Sequence, residues 1–201
     1  AAAREALGVP TDRMVLAVFG GSLGARRINE ATRGAVERWR GRSDLTVYHV
    51  VGSRDWGSPP PPSTAVAERN RGPDHGGLVY RCVEYEERMP LLLAAADLAV
   101  CRAGGTSVAE LAAVGLPSVF VPLPIAPHDH QTANAAALVR AGAALVVPDG
   151  ELTAERLAAE VDPLLADPRR RQAMSAAGLA LARPGAADDV ASLLERHARA
   201  G

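Results

Sequence analysis

Residues 97–134, DLAVCRAGGTSVAELAAVGLPSVFVPLPIAPHDHQTAN, decide the fold. Leu98 to Cys101 is a short apolar run of the kind that forms a strand buried on both faces. Gly104 and Gly105 break it, and Thr106 or Ser107 is placed to cap a helix that carries Glu110. Gly115-Leu116-Pro117 stops that helix, and Ser118 to Val121 is a second apolar strand. Strand, glycine turn, helix and strand in this order put a helix N-terminus and a carboxylate at the C-terminal edge of a parallel sheet. Open α/β sheets bind their ligands at that edge.

The same alternation extends in both directions. Met14 to Phe19 is a fully apolar strand that runs into Gly20-Gly21-Ser22-Leu23-Gly24 and a helix from Ala25 to about Trp39. Thr46 to Val51 and Leu78 to Arg81 read as strands, Glu87 to Ala96 as a helix. Beyond the central unit come a helix over Gln131–Ala141, a strand over Ala144–Val147 and a turn at Pro148-Asp149-Gly150. Three helices follow, over Thr153–Ala166, Pro168–Arg183 and Ala186–Arg199. Ser53 to Ser63 contains four consecutive prolines, Pro59 to Pro62, and reads as a mobile surface loop. The expected architecture is α/β: a Rossmann-like parallel sheet of about six strands flanked by helices, with right-handed crossovers. Residues 1–12 read as a linker with a short helix over Ala2–Leu7, and 13–201 as one domain.

Composition narrows the function. With 22 Lys+Arg against 23 Asp+Glu the net charge is -1, which removes the electrostatic case for a nucleic-acid binder. Only 2 Trp, 3 Tyr and 2 Phe are available, too few for a base-stacking surface. Cys82 and Cys101 fall in or beside core strands and read as buried thiols of a reducing compartment. No Cys/His cluster has metal-ligand spacing, no Asp-x-Asp pair calls for a divalent ion, and no cofactor is expected.

Two glycine turns carry the chemistry. Gly20 to Gly24 follows a strand and opens a helix, so its backbone N–H groups and the Ser22 hydroxyl suit an anion at the positive helix end. It is neither G-x-G-x-x-G nor a P-loop, and taken alone it also fits a plain βα turn. Arg102 to Ser107 repeats the arrangement at another strand end, and two such turns in one sheet suit a diphosphate. Glu110 is either a solvent-facing carboxylate or an acceptor for a ribose diol. Gln131 and Asn134, at i and i+3, put two amides on one helix face, where they suit sugar hydroxyls. His128 and His130 flank Asp129, for which capping and loop packing are sufficient. Glu84, Glu86 and Glu87 match the preference of helix N-termini for acidic residues.

Gly20-Gly21-Ser22-Leu23-Gly24-Ala25-Arg26, the Arg102 to Gly115 unit and Asp129-His130-Gln131-Thr132-Ala133-Asn134-Ala135 together resemble the C-terminal half of the MurG family. These are peptidoglycan N-acetylglucosaminyltransferases with a two-domain GT-B fold. The resemblance implies a donor domain for UDP-GlcNAc. Gly21, Ser22, Gly24, Gly104, Gly105 and Thr106 would hold the diphosphate, and Glu110 the ribose. Backbone groups around Tyr85 and Glu86 would meet the uracil, and Gln131 and Asn134 the GlcNAc hydroxyls. It departs at Glu86, where the family usually has an apolar residue, at Leu23, where it often has Gln, and at the proline run. It also implies an N-terminal domain, absent here, that holds the lipid-linked acceptor, the membrane-facing patch and the catalytic base. The chain is then expected to be an excised half or one subunit of a split enzyme of the cytoplasmic membrane face. Other GT-B enzymes with another nucleotide sugar, and a non-catalytic subunit docking through Ala186–Arg199, are the competing readings.

Overall fold

β1 (Met14–Phe19) is the middle of the sheet, and residues Val15 to Val18 are wholly buried. It pairs in parallel with β2 (Leu45–Val50) on one side and β4 (Leu98–Cys101) on the other. β3 (Val79–Val83) lies outside β2, while β5 (Ser118–Phe120) and β6 (Ala144–Val146) continue beyond β4. The computed structural model describes residues 1–57, 77–124 and 129–198. The six strands run in the order β3-β2-β1-β4-β5-β6, all in parallel. The chain therefore winds outward in opposite directions from β1 and β4, and the crevice between their C-terminal ends is a topological switch point.

The helices are α1 (Ala2–Leu7), α2 (Arg26–Arg38), α3 (Ser53–Trp56), α4 (Met89–Ala95), α5 (Gly105–Val114) and α6 (His130–Arg140). After a 3₁₀ turn at Asp149–Glu151 come α7 (Ala154–Ala166), α8 (Pro168–Leu181) and α9 (Ala186–Ala198). Strand alternation sorts the core into two layers. Leu16, Val18 and Val47 face Ile28 and Ala35 of α2 and Leu157 and Val161 of α7. Val15, Ala17 and Phe19 face the other way, in a cluster with Leu7, Leu92, Leu111 and Leu138. Each such leucine contributes about 1.5–3 kcal/mol of hydrophobic burial.

The expected strands and helices match to within two residues at nearly every end. Three details differ. α5 starts at Gly105 with Gly104 as its N-cap, so neither Thr106 nor Ser107 caps it. The segment after β2 is not loop throughout, because Ser53–Trp56 forms a helical turn with Asp55 buried. Cys101 is buried but Cys82 only partly so. The Pro59 to Pro62 run and His128 lie outside the described residues.

Residues 1–12 are tied down by three arginines, Arg81 and Arg88 donating to Leu7 O and Ala6 O and Arg4 reaching out from α1 itself. The Arg4 guanidinium donates to Ala95 O at 2.9 Å and Arg13 O at 2.8 Å, and pairs with Asp97 at 2.7 Å. The same Asp97 oxygen accepts from Val15 N at 2.7 Å, so α1 is coupled to the first residues of β1.

Candidate functional site

β1 and β4 end side by side, with Phe19 opposite Cys101. A glycine turn follows each, and from the turns start α2 and α5. The N-caps Ala25 and Gly104 are both extended, no side chain caps either helix, and neither has an acidic residue in its first turn. α7 and α8 differ: Thr153 Oγ1 accepts from Arg156 N at 3.1 Å, and Asp167 Oδ1 from Arg170 N at 2.9 Å. The two helix starts at the crevice thus keep uncapped N–H groups and the positive dipole end, the arrangement that binds anions.

Between them is a cleft of about 490 Å³, lined by Gly20 to Gly24, Gly104, Ser107, Gln131 and two arginines, Arg54 and Arg102. A smaller recess of about 150 Å³ adjoins it, lined by Val50, Tyr85, Glu86, Met89 and Glu110. Phe19, Gly21, Ser22 and Ser107 line both, so the two form one elongated depression.

The first turn is held by direct backbone contact with the loop after β2. Gly24 has φ 83°, and Gly24 N donates to Gly21 O at 2.9 Å. A Cβ on Gly24 would lie 2.0 Å from Val51 O, and one on Gly52 2.1 Å from Gly24 N, so only glycine fits at either place. Ser53 N completes the junction by donating to Ser22 O at 3.2 Å.

The arginines are positioned differently. Arg102 Nη1 donates to Val121 O at 3.0 Å and Pro122 O at 3.1 Å and pairs with Asp149 at 2.6 Å, all well shielded from solvent. Arg54 is half exposed, donates to Gly24 O at 3.4 Å and sits beside buried Asp55 at 3.3 Å. Asp55 is anchored from below, since Asn29 Nδ2 donates to Asp55 Oδ2 at 2.9 Å and to Val51 O at 3.0 Å. Asn29 Oδ1 is 2.9 Å from His49 Nε2, whose Nδ1 is 2.9 Å from the Tyr80 hydroxyl. With the Asn29 carbonyl as acceptor, His49 carries its proton on Nε2 and accepts from Tyr80. Burial above all, with Arg33 nearby, lowers the His49 pKa to about 3, and burial raises that of Tyr80.

Most of the residues singled out from sequence come together here. Gly21, Ser22, Gly24, Gly104 and Gln131 line the larger cleft, and Tyr85, Glu86 and Glu110 the recess, with Gly21 and Ser22 in both. Gly105 and Thr106 occupy the exposed first turn of α5 without lining either depression; Ser107 takes the position expected of Thr106. Gln131 Oε1 accepts from Ala103 N at 3.1 Å and Leu123 N at 3.0 Å, which leaves its NH₂ as the group able to donate to a ligand. Asn134 lies behind the α5 start and donates to Ala103 O at 3.1 Å, so it braces the turn. Its i+3 spacing is met, but the backbone of residue 103 reaches that amide first. Asp129 takes the N-cap position of α6 at φ 51° without accepting a cap hydrogen bond.

Glu86 does not serve as a helix-start charge, and α4 has no acidic residue in its first turn. Glu86 is buried, accepts from the Tyr48 hydroxyl, and its Oε1 accepts from Arg88 N at 2.9 Å and Arg88 Nε at 3.2 Å. Burial alone would raise its pKa; the Tyr48 and Arg88 hydrogen bonds outweigh that and hold it below the usual carboxylate value. Sequence reasoning missed the roles of Arg54, Ser107 and Arg102. The last two stood inside a quoted motif, whereas Arg54 lay in a stretch read as loop and gave no signal.

Residues 15–190 match the model of the glycosyltransferase family 28 C-terminal domain. Two similar proteins are UDP-N-acetylglucosamine–N-acetylmuramyl-(pentapeptide) pyrophosphoryl-undecaprenol N-acetylglucosamine transferases. The one from Desulforudis audaxviator is 39% identical over 99% of this chain and 52% of its own length. That from a Nocardioides species is 43% identical over 90% of this chain and 46% of its own. The crystal structure of Acinetobacter baumannii MurG superimposes with a TM-score of 0.75 at 31% identity, covering 92% of this chain and 52% of that one. The chain thus spans about half the length of the relatives it matches. With the family model covering every strand of the sheet but one residue of β1, the chain belongs to the glycosyltransferase family 28 C-terminal domain family.

Proposed function

We propose that this chain is the donor-binding half of a MurG-type transferase and holds UDP-GlcNAc in the depression at the β1/β4 switch point. The observation that carries the proposal is the pair of uncapped helix starts, α2 and α5, facing one cleft with Arg54 and Arg102. The donor diphosphate lies there, on the N–H groups of Gly21 to Leu23 and of the α5 start at Gly104 and Ser107, and on the hydroxyls of Ser22 and Ser107. The uridine runs into the adjoining recess, with Glu110 on the ribose and the main chain at Tyr85 and Glu86 on the base. GlcNAc extends toward Gln131, and Asn134 supports the turn that receives it.

The reaction follows from this placement. An acceptor hydroxyl attacks the sugar C1 on the face opposite the diphosphate, and the C1–O bond to UDP breaks with inversion. The departing diphosphate gains negative charge between two helix N-termini and two guanidinium groups, which stabilise it more in the transition state than before it. The base that takes the acceptor proton and the site for a lipid-linked acceptor belong to the remaining half, whose existence the relatives' length supports. Residues 1–12 serve as the linker to that half, and the full enzyme works at the inner membrane surface as a peripheral protein. None of the described helices is long and apolar enough to cross a membrane.

Calorimetric titration tests this directly. The folded chain binds UDP without turning over UDP-GlcNAc, and Glu110→Ala weakens UDP by about tenfold, the effect of one or two lost hydrogen bonds to a ribose. Absence of heat with millimolar UDP in a folded sample would sink the proposal. An unchanged affinity in Glu110→Ala would overturn the ribose assignment alone.

A further inference from the structure

The recess that takes the base is bounded by residues 84–88, a connection with no regular structure between β3 and α4. Its start is pinned where Gly52 N donates to Glu84 O at 2.9 Å. Its end is pinned by Arg88, which donates to Glu86 at two atoms and to Ala6 O at 2.9 Å. Between these points Tyr85 stands 61% exposed at the mouth, while Glu86, next in sequence, turns inward to 7% exposure. A carboxylate is costly to bury, and only its partners make it tolerable there. They are Tyr48, from the floor of the sheet, and Arg88. Tyr48 is itself fixed, fully buried with the Arg81 guanidinium 5.2 Å from its ring centroid.

We infer that Tyr48, Glu86 and Arg88 form a positioning network that fixes the 84–88 main chain for selecting the base, and that the Glu86 carboxylate acts through this loop without itself touching the ligand. The inference rests on the donor-site reading above. Its physical basis is preorganisation. A five-residue connection free to move must be ordered when a ligand binds, and it cannot hold backbone donors and acceptors to the fraction of an ångström that tells one base edge from another. A buried, fully satisfied polar cluster specifies one conformation where an apolar side chain would allow several. Glu86 spans the two sides of the loop: one oxygen goes to the sheet through Tyr48, the other to the helix start through Arg88.

UDP and CDP separate this role from general damage. The two bases are nearly equal in size but exchange donor and acceptor along one edge, so their affinity ratio reads backbone placement and not volume. Inorganic diphosphate reads the glycine turns alone. Tyr48→Phe removes the hydroxyl and keeps the ring under Arg81; Glu86→Gln keeps the volume and removes the charge. Both are titrated as the folded 201-residue chain. Expected is a loss of about tenfold in UDP affinity, a fall of similar size in the UDP over CDP ratio, and diphosphate affinity unchanged within about twofold. Glu86→Leu loses at least as much. An unaltered UDP over CDP ratio in folded Tyr48→Phe and Glu86→Gln overturns the inference, as does a parallel fall in diphosphate and UDP affinity. Should the parent chain bind diphosphate with no preference for UDP, the donor-site reading itself fails and takes this inference with it.

Discussion

His49 is a histidine with no contact to water, neutral because protonation would leave a charge buried between Asn29 and Tyr80. Its folded pKa of about 3 lies below the ordinary 6.5. Between those values the unfolded chain binds a proton that the folded chain does not, so the contribution is intact above the unfolded value and is lost as the pH falls from about 6.5 toward about 3. Between about pH 7.5 and about 5.5 the loss from this residue is about 1.4 kcal/mol. His49→Gln, which can still donate and accept, is expected to be less stable at neutral pH and to lack that part of the slope. Urea unfolding at the two pH values measures it, and an equal slope in parent and variant would show that another group titrates. The same network anchors Asp55, and through it the turn that places Arg54 at the cleft. The test therefore also asks how the cleft's exposed cation is held.

The elements around the cleft were legible in the sequence because each is specified locally. Met14–Phe19 and Leu98–Cys101 are apolar without interruption, and glycines follow both, so strand ends and turns were readable from a few neighbouring residues. Contacts between distant segments were not. Nothing near Glu86 indicates that Tyr48, on another strand, waits beneath it, and an acidic trio before a helix looks like an ordinary helix start. Asn134 could be placed on the correct helix face, but not the carbonyl of residue 103 that occupies it. The closest of these contacts is the crossing of Gly24 and Gly52, and it predicts a graded response to alanine. Gly21 has φ 89° with nothing within 4 Å of an added Cβ, so Gly21→Ala costs only the backbone strain, about 1 kcal/mol. Gly24→Ala adds a collision with Val51 O to similar strain, and its cost is at least about 3 kcal/mol. Thermal or urea unfolding of the two variants measures the difference; equal destabilisation would mean that the two loops do not touch as described.

For the molecule as a whole, the sheet and its two helical layers are complete up to α8, and α9 is an addition of another kind. None of its residues is buried, and Val190, Leu193 and Leu194, at i, i+3 and i+4 on one side, are 57%, 47% and 65% exposed. α7, of the same length, buries Leu157, Val161, Leu164 and others. Hydrophobic stabilisation follows the area removed from water, so α9 contributes almost nothing to the domain's stability, whereas a single core leucine contributes about 1.5–3 kcal/mol. For a domain of this size each kcal/mol moves the melting temperature by about 2–4 °C. A chain ending at Gly185 is therefore expected to melt within about 2 °C of the full chain and to bind UDP equally well, while Leu157→Ala in the full chain falls by at least about 4 °C. Differential scanning calorimetry of the three decides the matter. A fall of more than about 5 °C on truncation would mean that α9 packs on the domain in solution and that its apolar side is covered by the chain's own core.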